Sequence, residues 1–155
     1  MAWIVVVAVV ALFLLGLYGP NISFSTLRSR YAMTDSRYLE LSNGITVHYR
    51  DCGVPDRPVV LLLHGYGDSY TSWEGWVDTL GAHFRLLVLD LPGHGLTEAP
   101  SGCLLSSRTF LQVIQEFVTA LGIGRFSLVG NSMGGGLSWL YASTYPERVQ
   151  GLVLV

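Results

Sequence analysis

The chain is expected to fold as an α/β domain on a mostly parallel sheet with flanking helices, incomplete at its C-terminal side and preceded by a transmembrane helix. Three observations predict this. Short apolar runs at Val59–Leu63, Leu86–Leu89, Phe126–Val129 and Leu152–Val155 alternate with segments of helical period, an order that yields parallel strands joined by helical crossovers. Val59–Leu63 is apolar at every position, which marks a strand covered on both faces. Ala2–Tyr18 carries no charged side chain and is rich in Val, Leu and Ala.

That first stretch defines residues 1–19 as a transmembrane anchor or signal segment. Its 17 residues would extend roughly 25 Å as a helix, near the short end of a bilayer span, and Gly19-Pro20 would stop it. The first expectation is an uncleaved single-pass anchor that puts residues 2–18 in a lipid bilayer and the protein at a membrane. The alternative is a cleaved signal peptide and a secreted protein, although a charged leading region and a small-residue cleavage site are missing. Arg28, Arg30 and Arg37 would draw the following segment toward the cytoplasm against only the N-terminal amine, so the side is open. Asn21-Ile22-Ser23 is a glycosylation sequon too close to the expected membrane surface to be a good acceptor. Residues 20–35 mix Pro, Ser, Asn and Arg without a sustained period and read as a linker.

The domain spans residues 36–155. Tyr38–Leu41 and Ile45–Tyr49 alternate and are joined through Ser42-Asn43-Gly44, a hairpin signal. Val54–Pro58 is a turn into the apolar strand. One helix is expected over Ser72–His83 and another from about Thr109 to Leu121, where Phe110, Ile114, Phe117, Val118 and Leu121 share a face. Thr109 with Gln112 fits a capping box, and Gly122 and Gly124 supply the stop. The last helix ends before Pro146.

That last helix begins at the most informative stretch, Leu128-Val129-Gly130-Asn131-Ser132-Met133-Gly134-Gly135-Gly136. An apolar strand gives way to a helix, with Ser132 between Gly130 and Gly134. Such a sharp turn presents the hydroxyl outward, and side chains at the two glycines would obstruct it. The free N–H groups and the positive dipole end of the helix point at the same place, favouring an oxyanion beside Ser132. His64-Gly65-Tyr66-Gly67-Asp68 follows Val59–Leu63, and ligands in such sheets sit beyond the carboxyl ends of the strands. Gly65 and Gly67 allow close backbone approach, so the N–H groups of Tyr66 and Met133 would form a two-donor oxyanion hole.

The remaining polar residues near this rim have structural roles to fill. His64 directly follows a buried strand and is expected to brace its loop. Asp90, at the head of Asp90-Leu91-Pro92-Gly93-His94-Gly95, is expected to hold turn N–H groups. His94 reads as a loop side chain, His48 and His83 are placed out of reach of Ser132, and Trp73 and Trp76 read as helix packing. Cys52 and Cys103 form neither a C-x-x-C nor a zinc spacing; no cofactor or metal is expected. The formal net charge is -2 and the arginines are scattered, which gives no nucleic-acid footprint.

Three motifs, His64-Gly65-Tyr66-Gly67, Asp90-Leu91-Pro92-Gly93-His94-Gly95 and Gly130-Asn131-Ser132-Met133-Gly134-Gly135, together resemble the first half of an α/β-hydrolase over roughly residues 36–155. The resemblance implies that Ser132 is the nucleophile of a serine hydrolase acting on a carboxylic ester or related acyl substrate. It also implies that the N–H groups of Tyr66 and Met133 are the oxyanion donors. Serine argues against the epoxide hydrolase and haloalkane dehalogenase branches, which use an aspartate there. Asn131 is similar to the elbow of carbon–carbon bond hydrolases and some esterases. In the family an acid and then a histidine follow the serine. Here Glu147 is the only acid after Ser132, and no histidine lies beyond His94.

An apolar strand ending at Val155 would leave an unpaired edge, so the chain reads as the N-terminal part of a longer hydrolase or a truncated product. On its own it is expected to be inactive, its partner otherwise being a small acyl molecule, apolar if the anchor is a guide. Two rivals remain: a non-catalytic hydrolase-like fragment or binding protein, motivated by the missing histidine, and a dinucleotide-binding domain at Gly65-Tyr66-Gly67. The third glycine of that last fingerprint is replaced by Tyr70.

Overall fold

The computed structural model describes Trp3, Val6, Val7 and residues 22–155. Strands β1 (Ser36–Glu40), β2 (Thr46–Gly53), β3 (Val59–Leu63), β4 (Arg85–Leu89), β5 (Phe126–Gly130) and β6 (Val149–Leu154) form one sheet in the order β1-β2-β4-β3-β5-β6. The helices are α1 (Phe24–Tyr31), α2 (Glu74–Leu80), α3 (Ser107–Ala120) and α4 (Met133–Thr144), with short 3-10 turns at Tyr70–Trp73 and Pro146–Arg148.

The hairpin forms where Asn43-Gly44 places it. Asn43 Oδ1 accepts the Ile45 N–H at 3.1 Å, and Gly44 takes a φ of 78°, a conformation open to glycine. β1 and β2 then pair antiparallel with Tyr38 opposite His48. β2 runs antiparallel to β4, and β4, β3, β5 and β6 are mutually parallel neighbours in that order.

β3 lies between β4 and β5, and its uniform apolarity has a direct cause. Leu61 and Leu63 enter a core with Leu87, Leu89, Leu128, Phe117 and Tyr141. Val60 and Leu62 face the opposite side, against Leu86, Val88, Val129, Tyr70 and Trp73. Alternate side chains of a strand point to opposite faces, so burial of both faces requires apolar residues throughout.

Four local expectations need adjustment. The helix expected over Ser72–His83 is divided into the Tyr70–Trp73 turn and the shorter α2. α3 starts before Thr109, because Ser106 Oγ accepts the Thr109 N–H at 3.2 Å and serves as the N-cap. β6 begins at Val149, three residues before the expected start, and leaves Leu152, Val153 and Leu154 exposed at the sheet margin as the unpaired edge expected there. Residues 24–31, within the stretch read as linker, are helical and capped by Ser23.

α1 buries no residue fully, so it carries no apolar stripe for periodicity to detect. Polar contacts dock it instead. Tyr70 Oη donates to the Tyr31 carbonyl at 2.7 Å, Arg28 pairs with Glu98 at 3.3 Å, and its guanidinium lies 4.3 Å from the Tyr38 ring centroid. Arg50 binds Asp35 and Glu74 beside it.

The expectation of a transmembrane helix, and with it a single-pass membrane location and bilayer contact through residues 2–18, is corrected. Among the described residues no helix is long and apolar enough to cross a membrane. The longest, α3, has 14 residues, whereas a span needs about 20 apolar ones. Of residues 2–18 only Trp3, Val6 and Val7 are described; the rest of that stretch lies outside the described residues. Cys52 and Cys103 are free thiols.

Candidate active site

The strand-to-helix turn after β5 is held by backbone on three sides. Asn131 N–H donates to the Leu63 carbonyl at 3.0 Å, Ser132 N–H to Val155 at 3.0 Å, and Gly136 N–H to Ser132 at 3.0 Å. Held this way, Ser132 adopts φ 50° and ψ -111°. It is the one non-glycine residue at positive φ among the described residues, a region that costs an L-amino acid of order 1–3 kcal/mol. Its side chain is exposed and makes no hydrogen bond among the described residues.

The glycines on either side are required by contact. A Cβ on Gly130 would overlap the Gly134 carbonyl and Ser138 Oγ, and one on Gly134 would overlap the Leu63 and His64 carbonyls. Gly134 therefore lets the first turn of α4 lie directly on the end of β3. Across the gap, a Cβ on Gly65 would lie 3.5 Å from Ser132 Cβ, so the loop after β3 abuts the serine.

Two main-chain donors are free at this junction. Met133 is the first residue of α4, so its N–H has no intrahelical acceptor. Neither it nor the Tyr66 N–H donates a hydrogen bond among the described residues. Gly67, with φ 72°, turns the Tyr66 loop. The Tyr66 side chain is exposed, with its ring edge-on to His94 at 5.5 Å. Beside the serine, a cavity of about 120 Å³ is lined by Ser72, Trp73, Trp76, Asn131 and Val155.

His64 and Asp90 support this rim from beneath. His64 is fully buried; its Nε2 accepts the Leu91 N–H at 3.0 Å, leaving Nδ1–H to donate to the Gly65 carbonyl at 2.7 Å. The neutral tautomer thus links the β3 loop to the β4 loop, and burial lowers its pKa below the usual histidine value. Asp90 Oδ1 accepts the Tyr70 N–H at 2.6 Å, and Oδ2 accepts the Leu96 N–H at 2.8 Å and His48 Nδ1–H at 2.7 Å. His48 Nε2 is 2.8 Å from Ser36 Oγ.

Sequence reasoning missed the His48–Asp90 pair. The two are 42 residues apart and meet because β2 and β4 are neighbours. The available signal was a histidine within a strand between Val47 and Tyr49, all three of which are buried. His83 is exposed and His94 half-buried; none of the four histidines hydrogen-bonds to Ser132. Among the described residues, no three His, Cys, Asp or Glu side chains gather as a metal site.

A family model described as alpha/beta hydrolase fold matches residues 58–155. Over 120 residues the chain is 32% identical to epoxide hydrolase 4 of Homo sapiens, covering 73% of this chain and 32% of the relative. Over 118 residues it is 36% identical to the 2-hydroxy-6-oxo-2,4-heptadienoate hydrolase of Pseudomonas putida, covering 74% and 42%. The crystal structure of epoxide hydrolase VrEH1 from Vigna radiata superposes with a TM-score of 0.71 at 30% identity, covering 77% of this chain and 38% of that one. The chain spans 32% and 42% of the length of these two curated relatives.

Proposed function

The chain belongs to the alpha/beta hydrolase fold family, and on that premise we propose that it carries the nucleophile and oxyanion donors of a serine hydrolase for carboxylic esters or related acyl substrates. The observation that carries this is Ser132 itself: an exposed hydroxyl at positive φ, without a hydrogen bond among the described residues, at the mouth of α4. Backbone strain of this kind at an exposed nucleophilic side chain supports a functional role.

In the proposed step Ser132 Oγ attacks the acyl carbonyl carbon and the carbonyl electron pair moves to oxygen. The resulting oxyanion accepts hydrogen bonds from the Tyr66 and Met133 N–H groups. Collapse expels the leaving group and gives an acyl-enzyme, which water hydrolyses. Each donor in such a hole contributes about 100- to 1,000-fold to turnover.

The serine proton needs an acceptor. Both ring nitrogens of His48 and of His64 are engaged in buried contacts, and neither His83 nor His94 bonds Ser132. These 155 residues therefore supply nucleophile and oxyanion hole without the general base, which the family places after the serine. As an isolated chain, with bulk water taking the serine proton, they form an acyl-enzyme slowly and turn over little or not at all.

Incubation of the purified chain with 4-nitrophenyl acetate and intact-mass measurement tests this. One acetyl group per chain, absent from Ser132→Ala, is expected. Sustained turnover lost in Ser132→Ala would refute the missing base, and acetylation at another residue would refute the nucleophile.

The relatives named epoxide hydrolases favour a different chemistry, yet the serine stands where that branch is described as using aspartate. A second reading, carbon–carbon bond hydrolysis, is supported by the Pseudomonas putida relative together with Asn131 beside the serine. Loss of a 2-hydroxy-6-oxodienoate chromophore on incubation with the protein, abolished in Ser132→Ala, separates it from ester hydrolysis.

A further inference from the structure

We propose that the cavity beneath α1 binds an uncharged hydrocarbon chain. Resting on Ser132 as an acyl nucleophile, we assign that chain as the apolar arm of the acyl substrate. The cavity measures about 380 Å³, within the range of small-molecule sites. Leu27 and Tyr31 of α1 form one wall. The segment Ser69–Thr71 and the Gly95–Leu96 pair form the other.

Its chemistry excludes a charged ligand. No charged side chain lines it. The hydroxyls of Ser69 and Thr71 pair with each other at 2.9 Å, and that of Tyr70 is given to the Tyr31 carbonyl. Those three hydroxyls are already paired, Tyr31 is half open to solvent, and Leu27, Leu96 and the two tyrosine rings offer apolar contact. A hydrocarbon entering here breaks none of the three pairings.

The walls are fixed in place. Asp90 draws the Tyr70 and Leu96 N–H groups onto one buried carboxylate. Gly95, at φ 52°, approaches so closely that a Cβ would overlap that carboxylate. α1 is tied down by Tyr70 Oη and by Arg28–Glu98. Such preorganisation lowers the ordering cost of binding.

One continuous loop runs from the proposed nucleophile to the cavity wall. Gly65 abuts Ser132, and Ser69 follows four residues later, at most about 14 Å along an extended chain. An acyl chain attached at Ser132 would reach the cavity by running along this rim. α1 thereby becomes a wall of the substrate site, although no apolar stripe in the sequence announces it.

The experiment is titration of the full 155-residue chain with 1-decanol, followed by amide chemical shifts. Saturable shifts are expected at Leu27, Tyr31, Thr71 and Leu96. Leu27→Trp and, independently, the exposed-site change Thr71→Trp should weaken binding about tenfold or more, since each methylene kept out costs about three- to fourfold in affinity. Binding unchanged in whichever variant folds, or shifts confined to other residues, would overturn the cavity assignment. A parallel labelling with 4-nitrophenyl decanoate and 4-nitrophenyl acetate separates the two layers. Decanoyl transfer to Ser132 slowed by these variants more than acetyl transfer supports the acyl arm. Acetyl and decanoyl transfer equally unaffected overturns the arm and leaves the nucleophile standing. Decanol binding without any acylation of Ser132 overturns the nucleophile and leaves the cavity standing.

Discussion

Replacing Ser132 by glycine should make the protein more stable, whereas replacing it by alanine should not. At φ 50° and ψ -111° any residue with a Cβ is strained by about 1–3 kcal/mol. Alanine keeps that Cβ and removes a hydroxyl that makes no hydrogen bond, so its effect should fall within about 0.5 kcal/mol of zero. Glycine releases the strain and returns about 0.4–1 kcal/mol as unfolded-state entropy. The net gain over alanine is then about 0.5–2 kcal/mol, or roughly 2–4 °C in Tm for each kcal/mol at this chain length. Urea unfolding with a common m-value is the assay. Glycine equal to alanine, or less stable by the ordinary helical penalty of about 1 kcal/mol, would refute the strained turn and remove the main support for Ser132 as nucleophile.

Other outcomes follow from neighbouring contacts. Gly134→Ala should destabilise by about 2 kcal/mol or more, because its Cβ meets the Leu63 and His64 carbonyls. Gly136→Ala, two residues on in the same helix and facing open space, should stabilise by up to about 1 kcal/mol; like signs in urea unfolding would contradict the α4–β3 contact. Asp90→Ala strands the Tyr70 and Leu96 N–H groups and His48, a loss on the order of 3–9 kcal/mol at about 1–3 kcal/mol per orphaned group, and a midpoint change worth under about 1 kcal/mol would disprove that hub. His64 has a folded pKa lowered by burial, so below its unfolded pKa of about 6.5 the unfolded chain binds more protons. Stability is complete above that pH and is lost as pH falls through the folded value; the slope of unfolding free energy against pH below about 6.5 should be smaller in His64→Gln than in the wild type.

Much of this architecture was legible because particular residues admit few alternatives. The all-apolar Val59–Leu63 could only be covered on both faces, and Asn43-Gly44 could only turn. The segment Gly130–Gly134 required a contact too close for side chains. Other features were hidden because their causes are not local. α1 lacks an apolar period since it docks by Arg28, Tyr31 and polar contacts. The His48–Asp90 bond exists only because β2 and β4 are neighbours. The uncharged composition of Ala2–Tyr18 predicted a bilayer span, whereas among the described residues no helix is long and apolar enough to cross a membrane.

The most direct measurement is a crystal structure of the chain after phosphonylation by an alkyl fluorophosphonate. Phosphorus bonded to Ser132 Oγ, with its phosphoryl oxygen about 2.7–3.1 Å from the backbone nitrogens of Tyr66 and Met133, is the predicted result. A phosphoryl oxygen turned to solvent, or an adduct on any other residue, would contradict the assignment of nucleophile and oxyanion hole together.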